Sequence, residues 1–187
     1  MGIERIDALT MLLLTLPGVS FTYNGDEIAM VDYHGILWDA TTDPWACNSN
    51  PIDYADLSRD PQRTPFQWDG TVNAGFNVGA EPWLPVHPNY TINNLDLQMK
   101  ADNSHYKFYK QLLQLRKNQT LIDGAFESKA LSEYVLGFTR STDDETIAVV
   151  LNLGSERLLF NMNDLTDKLG EHAEILLASS SSNYKNG

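Results

Sequence analysis

At the start of the chain hydrophobic residues recur at helical spacing: Ile6, Leu9, Leu13 and Leu16 share one face, with Ala8 and Leu12 beside it. Glu4, Arg5 and Asp7 cluster ahead of most of them. The pattern predicts a helix over 3–16, polar in its first turn and buried nearly all round by its last. Pro17 cannot continue a helix and restricts Leu16, which sets the end there. Gly18 permits a tight turn into Val19 to Tyr23, a run of β-branched and aromatic residues that predicts a strand. Asn24-Gly25 closes it as a turn dipeptide.

From Asp26 to Ala101 no long periodic segment appears, although Trp38, Trp45, Phe66, Trp68, Phe76 and Trp83 all lie there. A connection of that length in a compact domain is expected to be functional and to carry its own small hydrophobic cluster. Most of these aromatics are therefore read as packing residues, with one or two available as platforms for a sugar ring. Helical spacing returns over 102–117, where Tyr106, Tyr109, Leu112, Leu113 and Leu115 are apolar, Asp102 or Ser104 can cap, and Arg116 and Lys117 suit the negative end of the helix dipole.

Beyond it the texture changes to short apolar or alternating runs at Tyr134 to Arg140, Thr146 to Leu153, Arg157 to Met162 and Ala173 to Ala178, separated by turn residues. These predict an antiparallel β unit, with a boundary near Asn118 to Gly124. The polar tail from Ser179 to Gly187 is expected to have no order of its own. There is no internal repeat.

Charge narrows the partners. With a formal net charge of −12 over 187 residues, the chain would be repelled by nucleic acid and by anionic membranes, and a neutral or cationic ligand fits better. Met11 to Leu16 is far too short to span a bilayer, so no direct membrane insertion is expected. The start lacks the basic region and cleavage site of a signal peptide. Cys47 is the single cysteine, which excludes an internal disulfide or a cysteine metal site. Asn89-Tyr90-Thr91 and Asn118-Gln119-Thr120 are acceptor sequons for N-glycosylation at Asn89 and Asn118, a lean toward secretion.

The candidate chemistry is concentrated in Ser58-Arg-Asp-Pro-Gln-Arg-Thr-Pro-Phe-Gln-Trp-Asp-Gly, ending at Gly70. Pro61 and Pro65 fix the backbone at two points and restrict Asp60 and Thr64, so the loop is expected to be preformed. Arg63 offers a planar fork of donors, with Asp60 and Asp69 as acceptors for it or for ligand hydroxyls. Two readings stay open at this level: a surface loop whose Arg and Asp pair with one another, and a ligand site. Asp26-Glu27 is the other tempting pair, following a predicted strand as barrel catalytic groups do. Adjacent residues on extended chain point apart, however, whereas glycoside hydrolysis needs two carboxyls facing across one bond at about 5 to 9.5 Å. A structural role at the rim competes with catalysis there. His34, His87, His105 and His172 have no metal-ligand spacing, and no phosphate-binding glycine loop or serine nucleophile elbow is present. No metal or cofactor is expected.

Several segments together resemble maltase-type α-glucosidases of the α-amylase superfamily, above all the insect maltases. They are Gly2-Ile-Glu-Arg-Ile-Asp-Ala, Leu16-Pro-Gly-Val-Ser, Tyr23-Asn-Gly-Asp-Glu-Ile-Ala-Met, Asp43-Pro-Trp-Ala-Cys-Asn, the Ser58 segment, Asn73-Ala-Gly-Phe and Pro82-Trp-Leu-Pro-Val. The resemblance runs in order along essentially the whole chain.

It implies an α/β plus β fold: the last helix–strand–helix portion of a (β/α)₈ TIM barrel over 1–118, including the long loop after the eighth strand, then an incomplete antiparallel β-sandwich over 119–187. It also implies that Arg63 binds the non-reducing glucose of the substrate. The family's three catalytic carboxylates would lie upstream of Met1, so this chain is expected to be an inactive C-terminal fragment with no catalytic residue of its own. The parent would hydrolyse terminal α-1,4-linked glucose from maltose, sucrose or short oligosaccharides with retention. It would be extracellular or secreted, with any membrane anchor outside this chain. The alternative is a non-catalytic relative acting as the ancillary heavy subunit of an amino-acid transporter.

Overall fold

The computed structural model describes residues 2–168 and 173–182. Helix α1 (Ile3–Thr15) starts after Gly2 and carries Glu4 in its first turn. It ends where steric restriction by Pro17 requires: Leu16 is already extended (φ −63°, ψ 153°), with its N–H on Leu12 O. Three short helices follow, α2 (Pro44–Cys47), α3 (Tyr54–Leu57) and α4 (Leu95–Lys100), among 3₁₀ turns. The chain then forms α5 (His105–Leu115), α6 (Gln119–Asp123) and strands β1 (Ala125–Ala130), β2 (Val135–Ser141) and β3 (Thr146–Asn152). Two compact units result, one of Met1–Thr22 with Lys107–Gly187 and the other of Tyr23–Tyr106.

In the first unit the strands form an antiparallel sheet in the order β1-β2-β3, with Phe138 opposite Val149 and Arg140 opposite Ile147. Strand alternation puts Leu136, Phe138 and Arg140 on one face of β2. There Phe138, Ile147, Val149 and Leu151 pack with Leu121 of α6, and Ala8, Met11 and Leu12 of α1 close over them. A second cluster joins Leu14 to Phe108, Tyr109 and Leu112 of α5. On the other face Gly137 has no room for a side chain, because a Cβ would come within 2.8 Å of Leu165 and 3.0 Å of Leu131.

Arg140 is the largest fully buried side chain, at 1% exposure. Among the described residues no carboxylate is bonded to it. Its guanidinium instead donates to the carbonyls of Leu121 (2.7 Å), Gly124 (2.9 and 3.2 Å), Thr15 (3.1 Å) and Ile122 (3.4 Å). These carbonyls close the C-terminal ends of α6 and α1, where the backbone leaves acceptors unused and the dipole favours a cation. Arg116 acts on the same end of α1, donating to Leu14 O, Leu16 O and Gly18 O.

Several expectations change. The face of α1 that is buried holds Asp7, Leu14 and Thr15, while Leu9 and Leu13 are 44% and 40% exposed. An almost wholly apolar last turn gives periodicity no means of choosing a face. Residues 19–23 join no ladder, and Phe21 is 84% exposed; a strand exists only where a second backbone supplies its bonds. For the same reason 157–162 and 173–178 form no strands. Strand β1 was not predicted: its Ala-Phe-Glu-Ser-Lys-Ala sequence is exposed throughout and owes its form to pairing with β2. Helix α5 buries Phe108 and leaves Leu113 39% exposed. The tail is held at Ser180, whose N–H and hydroxyl both donate to buried Asp7 (2.6 and 2.5 Å). His172 and 183–187 lie outside the described residues.

Candidate functional site

The second unit has no sheet, so its buried backbone groups need partners from side chains. Amides supply them. Gln67 Nε2 donates to Asn89 Oδ1 (2.8 Å) and Asn93 O (2.7 Å); Asn93 Nδ2 and Gln98 Nε2 donate to Ile28 O (3.2 and 2.8 Å); and Asn94 Nδ2 donates to Tyr90 O (2.7 Å). Aromatic edges fill the remaining space: Trp38 against Tyr54, Phe66 against Trp68 and Phe76 against Trp83, with centroids 4.6 to 5.5 Å apart. The expected hydrophobic cluster of the loop is thus a set of pairs stitched by amides. No sequence periodicity announces such a network.

Asp43, Asp60 and Asp69 are each spent on the loop itself. Asp43, buried at the start of α2, accepts from Arg59 Nε (2.8 Å), Nη2 (2.7 Å) and backbone N (2.8 Å), and from Trp45 N (3.2 Å). This forked guanidinium holds the Asp43 carboxyl well below the usual carboxylate range, and raises Arg59 in turn. Asp60, also buried, accepts from Thr42 N (2.7 Å), Thr42 Oγ1 (3.0 Å) and Asp43 N (3.0 Å). Asp69 accepts from the N–H and hydroxyl of Thr71 (2.8 and 2.5 Å), which lower its pKa.

Arg63 ends the 3₁₀ turn Asp60–Arg63 and is half-buried. Among the described residues its guanidinium bonds to nothing: Asp60 and Asp69, the acceptors the sequence suggested, are occupied as above. Its backbone is by contrast tightly held. Pro61 O accepts from Tyr33 N (2.9 Å), Thr64, Pro65 and Phe66 are buried, and Trp83 Nε1 donates to Arg63 O (3.0 Å). No Arg–Asp pair forms within Ser58–Gly70 among the described residues: Arg59 pairs with Asp43, outside that stretch, and Arg63 is a charged fork on a fixed backbone with no internal acceptor among them. Trp83, twenty residues away, was not singled out by sequence reasoning as a neighbour of Arg63.

Asp26 and Glu27 do not face each other across a space for a substrate. Asp26 Oδ2 accepts from Tyr23 N (2.6 Å) and Glu27 Oε2 from Gly25 N (2.8 Å), so each closes its own local turn. The two sequons sit differently. Asn89 Oδ1 is taken by Gln67, and its N–H donates to His87 Nδ1 (3.1 Å). Asn118 caps α6 through Thr120 N (2.7 Å), and buried Thr120 donates its hydroxyl to Glu145 Oε2 (2.6 Å). A shallow cleft of about 390 Å³ lies over Trp68, Asp69, Thr71, Leu95, Asp96 and Met99, and Arg63 does not line it. Among the described residues no group of three or more His, Cys, Asp or Glu could hold a metal ion, Cys47 is exposed, and no helix is long and apolar enough to cross a membrane.

Comparison with known proteins places this arrangement. Residues 1–124 match the α-amylase catalytic domain. Maltase 1 of Drosophila virilis is 42% identical over 167 residues, 89% of this chain and 26% of that protein. Maltase A1 of Drosophila melanogaster is 40% identical over the whole chain and 32% of its own length. The solved structure of a trehalulose synthase, MutB, in complex with Tris superposes with a TM-score of 0.80 at 32% identity, over 98% of this chain and 35% of that one. A human amino acid transporter heavy chain is 32% identical over 97% of this chain and 25% of its own length. The chain thus spans about a quarter to a third of the length of the curated relatives it matches. With a family match over most of its length and the fold of a solved relative, the chain belongs to the α-amylase family, joined to a small three-stranded antiparallel sheet.

Proposed function

We propose that this chain is part of an α-glucosidase that removes terminal α-1,4-linked glucose from maltose, sucrose or short oligosaccharides with retention. In this reading 1–118 is the last part of the catalytic (β/α)₈ barrel with its long final loop, and 119–187 begins the β-sandwich. The observation that carries it is Arg63. A half-buried guanidinium without an acceptor among the described residues, on a backbone held by Pro61, Pro65 and Trp83, is suited to grip a neutral polyhydroxyl ligand through charge-assisted hydrogen bonds. Insect maltases as relatives support the sugar as that ligand. The paired carboxylates of retaining hydrolysis come, in this reading, from outside this chain; Asp26, Glu27, Asp43 and Asp60 each hold local structure.

Salivary α-glucosidases of mosquitoes among the relatives, together with the sequons at Asn89 and Asn118, support a secreted glycoprotein. The heavy-chain relative keeps a second reading in view, that of a non-catalytic transporter subunit. Assay of the full-length protein that carries this chain separates them. Glucose release from maltose that falls sharply in Arg63→Ala, with the fold intact, supports the glucosidase; a well-folded full-length protein with no glycosidase activity overturns it.

A further inference from the structure

We infer that Trp83 is a positioning residue for Arg63, an inference that rests on the substrate-binding reading of Arg63 above. An Arg side chain with no partner among the described residues keeps its rotamer freedom, and that freedom is lost when it grips a ligand. What the protein can prepare in advance is the backbone from which the side chain springs. Pro61 and Pro65 fix the chain on either side of Arg63, and Trp83 Nε1 donates to the Arg63 carbonyl itself at 3.0 Å. Indole N–H is a donor only, so the bond fixes the plane of the peptide that follows Arg63.

Trp83 is placed for this by a strained turn. Asn73, Ala74 and Gly75 are all left-handed, with φ of 54°, 56° and 69°. Their turn is tied back to the Arg63 segment, since Trp68 N and Asp69 N both donate to Ala74 O (2.9 and 3.1 Å). Phe76 leaves the turn and meets Trp83 edge-on, with centroids 4.9 Å apart and planes at 86°. The segments at 63–69 and 73–83 therefore form one closed frame. Non-glycine residues held left-handed cost energy and persist only where surrounding structure demands that path. Trp83 is itself 54% exposed, so core burial does not account for a tryptophan here. Its N–H, used on Arg63, does.

The test is a double-mutant cycle in the full-length protein, with maltose as substrate. Trp83→Phe keeps the ring and removes the donor. It is expected to lower kcat/KM about five- to tenfold, the size of one neutral hydrogen bond, with the same division between KM and kcat as Arg63→Ala and a denaturation midpoint lowered only slightly, as loss of one exposed bond allows. Added to Arg63→Ala, it is expected to change kcat/KM by less than about twofold, because the group it positions is gone. Full additivity of the two substitutions, or wild-type kinetics in Trp83→Phe while Arg63→Ala is impaired, overturns the positioning role. Unchanged kinetics in Arg63→Ala, or a full-length protein without activity on maltose, overturns the Arg63 reading and this inference with it.

Discussion

Arg140, at the end of the central strand, donates to the carbonyl of Thr15 in the last turn of α1, 125 residues earlier and 3.1 Å away. The same nitrogen donates to Leu121 O, at 2.7 Å, at the end of α6. A buried cation is usually balanced by a carboxylate, because desolvation of an unpaired charge is costly. Here the balance comes from the negative ends of two helices. Burial, followed by the nearby charge of Arg116, pushes the Arg140 pKa down. With five donors spread over four carbonyls, the side chain joins α1, α6 and β2 at a single point.

Arg140→Met is expected to fill the space while leaving several buried carbonyls without a donor. The expected cost is about 2 to 4 kcal/mol, read as a drop in the urea midpoint of the full-length protein. Arg140→Lys, with all its donors on one atom, is expected to recover only part of it. Equal stability of the Met variant and wild type would show that the carbonyls find other partners.

Arg59 and Arg63, four residues apart, are expected to separate stability from activity. Arg59→Ala strips the forked partner from buried Asp43 and should lower the denaturation midpoint. Arg63→Ala breaks no side-chain bond among the described residues and should leave the midpoint in place, while kcat/KM on maltose falls about 10- to 150-fold, the range of a charged hydrogen bond. Chemical denaturation and steady-state kinetics on both variants check the pair.

Acid should act through Asp43. Its carboxyl is held below its ordinary value of 3.8 in the folded chain, so as pH falls the unfolded chain takes up this proton first. The stability from the Asp43–Arg59 pair is complete above that value and is lost as pH drops through it toward the lower folded value. Unfolding midpoints measured between about pH 5 and pH 2 should fall more steeply for wild type than for Asp43→Asn, which cannot titrate.

Gly75→Ala is expected to destabilise the turn that ends at Phe76. Its φ is +69°, and a Cβ there would come within 2.7 Å of the Asp69 carboxyl, which Thr71 already holds. Left-handed strain and the displaced carboxylate together should cost about 1 to 2 kcal/mol after the lower entropy of the unfolded chain is allowed for. Thermal denaturation of the variant checks it, and Asp69→Asn is expected to relieve little, since the side chain keeps its size.

Much of this was legible in the residues. Pro17 ends α1 as its fixed ring requires, the alternating runs around Ser-Thr-Asp-Asp give β2 and β3, and the ordered motifs give the family. Each of these is written in neighbouring residues, through allowed dihedrals, turn chemistry or local pattern, and needs no distant partner. Arg63 stands out the same way, as the Arg between two prolines, while its role toward a ligand came only from the family resemblance and stays a proposal; what the sequence could not say was whether Asp60, Asp69 or neither would hold it.

Tertiary structure decided the rest, because the deciding partner lies far along the chain. Which face of α1 turns inward depends on the bodies it packs on, α5 and β3, and an apolar last turn offers either. Residues 19–23 have strand-forming side chains but find no backbone to pair with among the described residues, whereas the polar segment of β1 pairs with β2 and is a strand. Arg140 reads in sequence as a polar end to a strand, and only the meeting of two helix ends makes it the buried centre of its unit. Trp83 reads as one aromatic among several until the left-handed turn at 73–75 brings its N–H to the carbonyl of Arg63. Side-chain chemistry is local and can be read in order, but whether a donor, a strand edge or an apolar face is used depends on what folding brings to it.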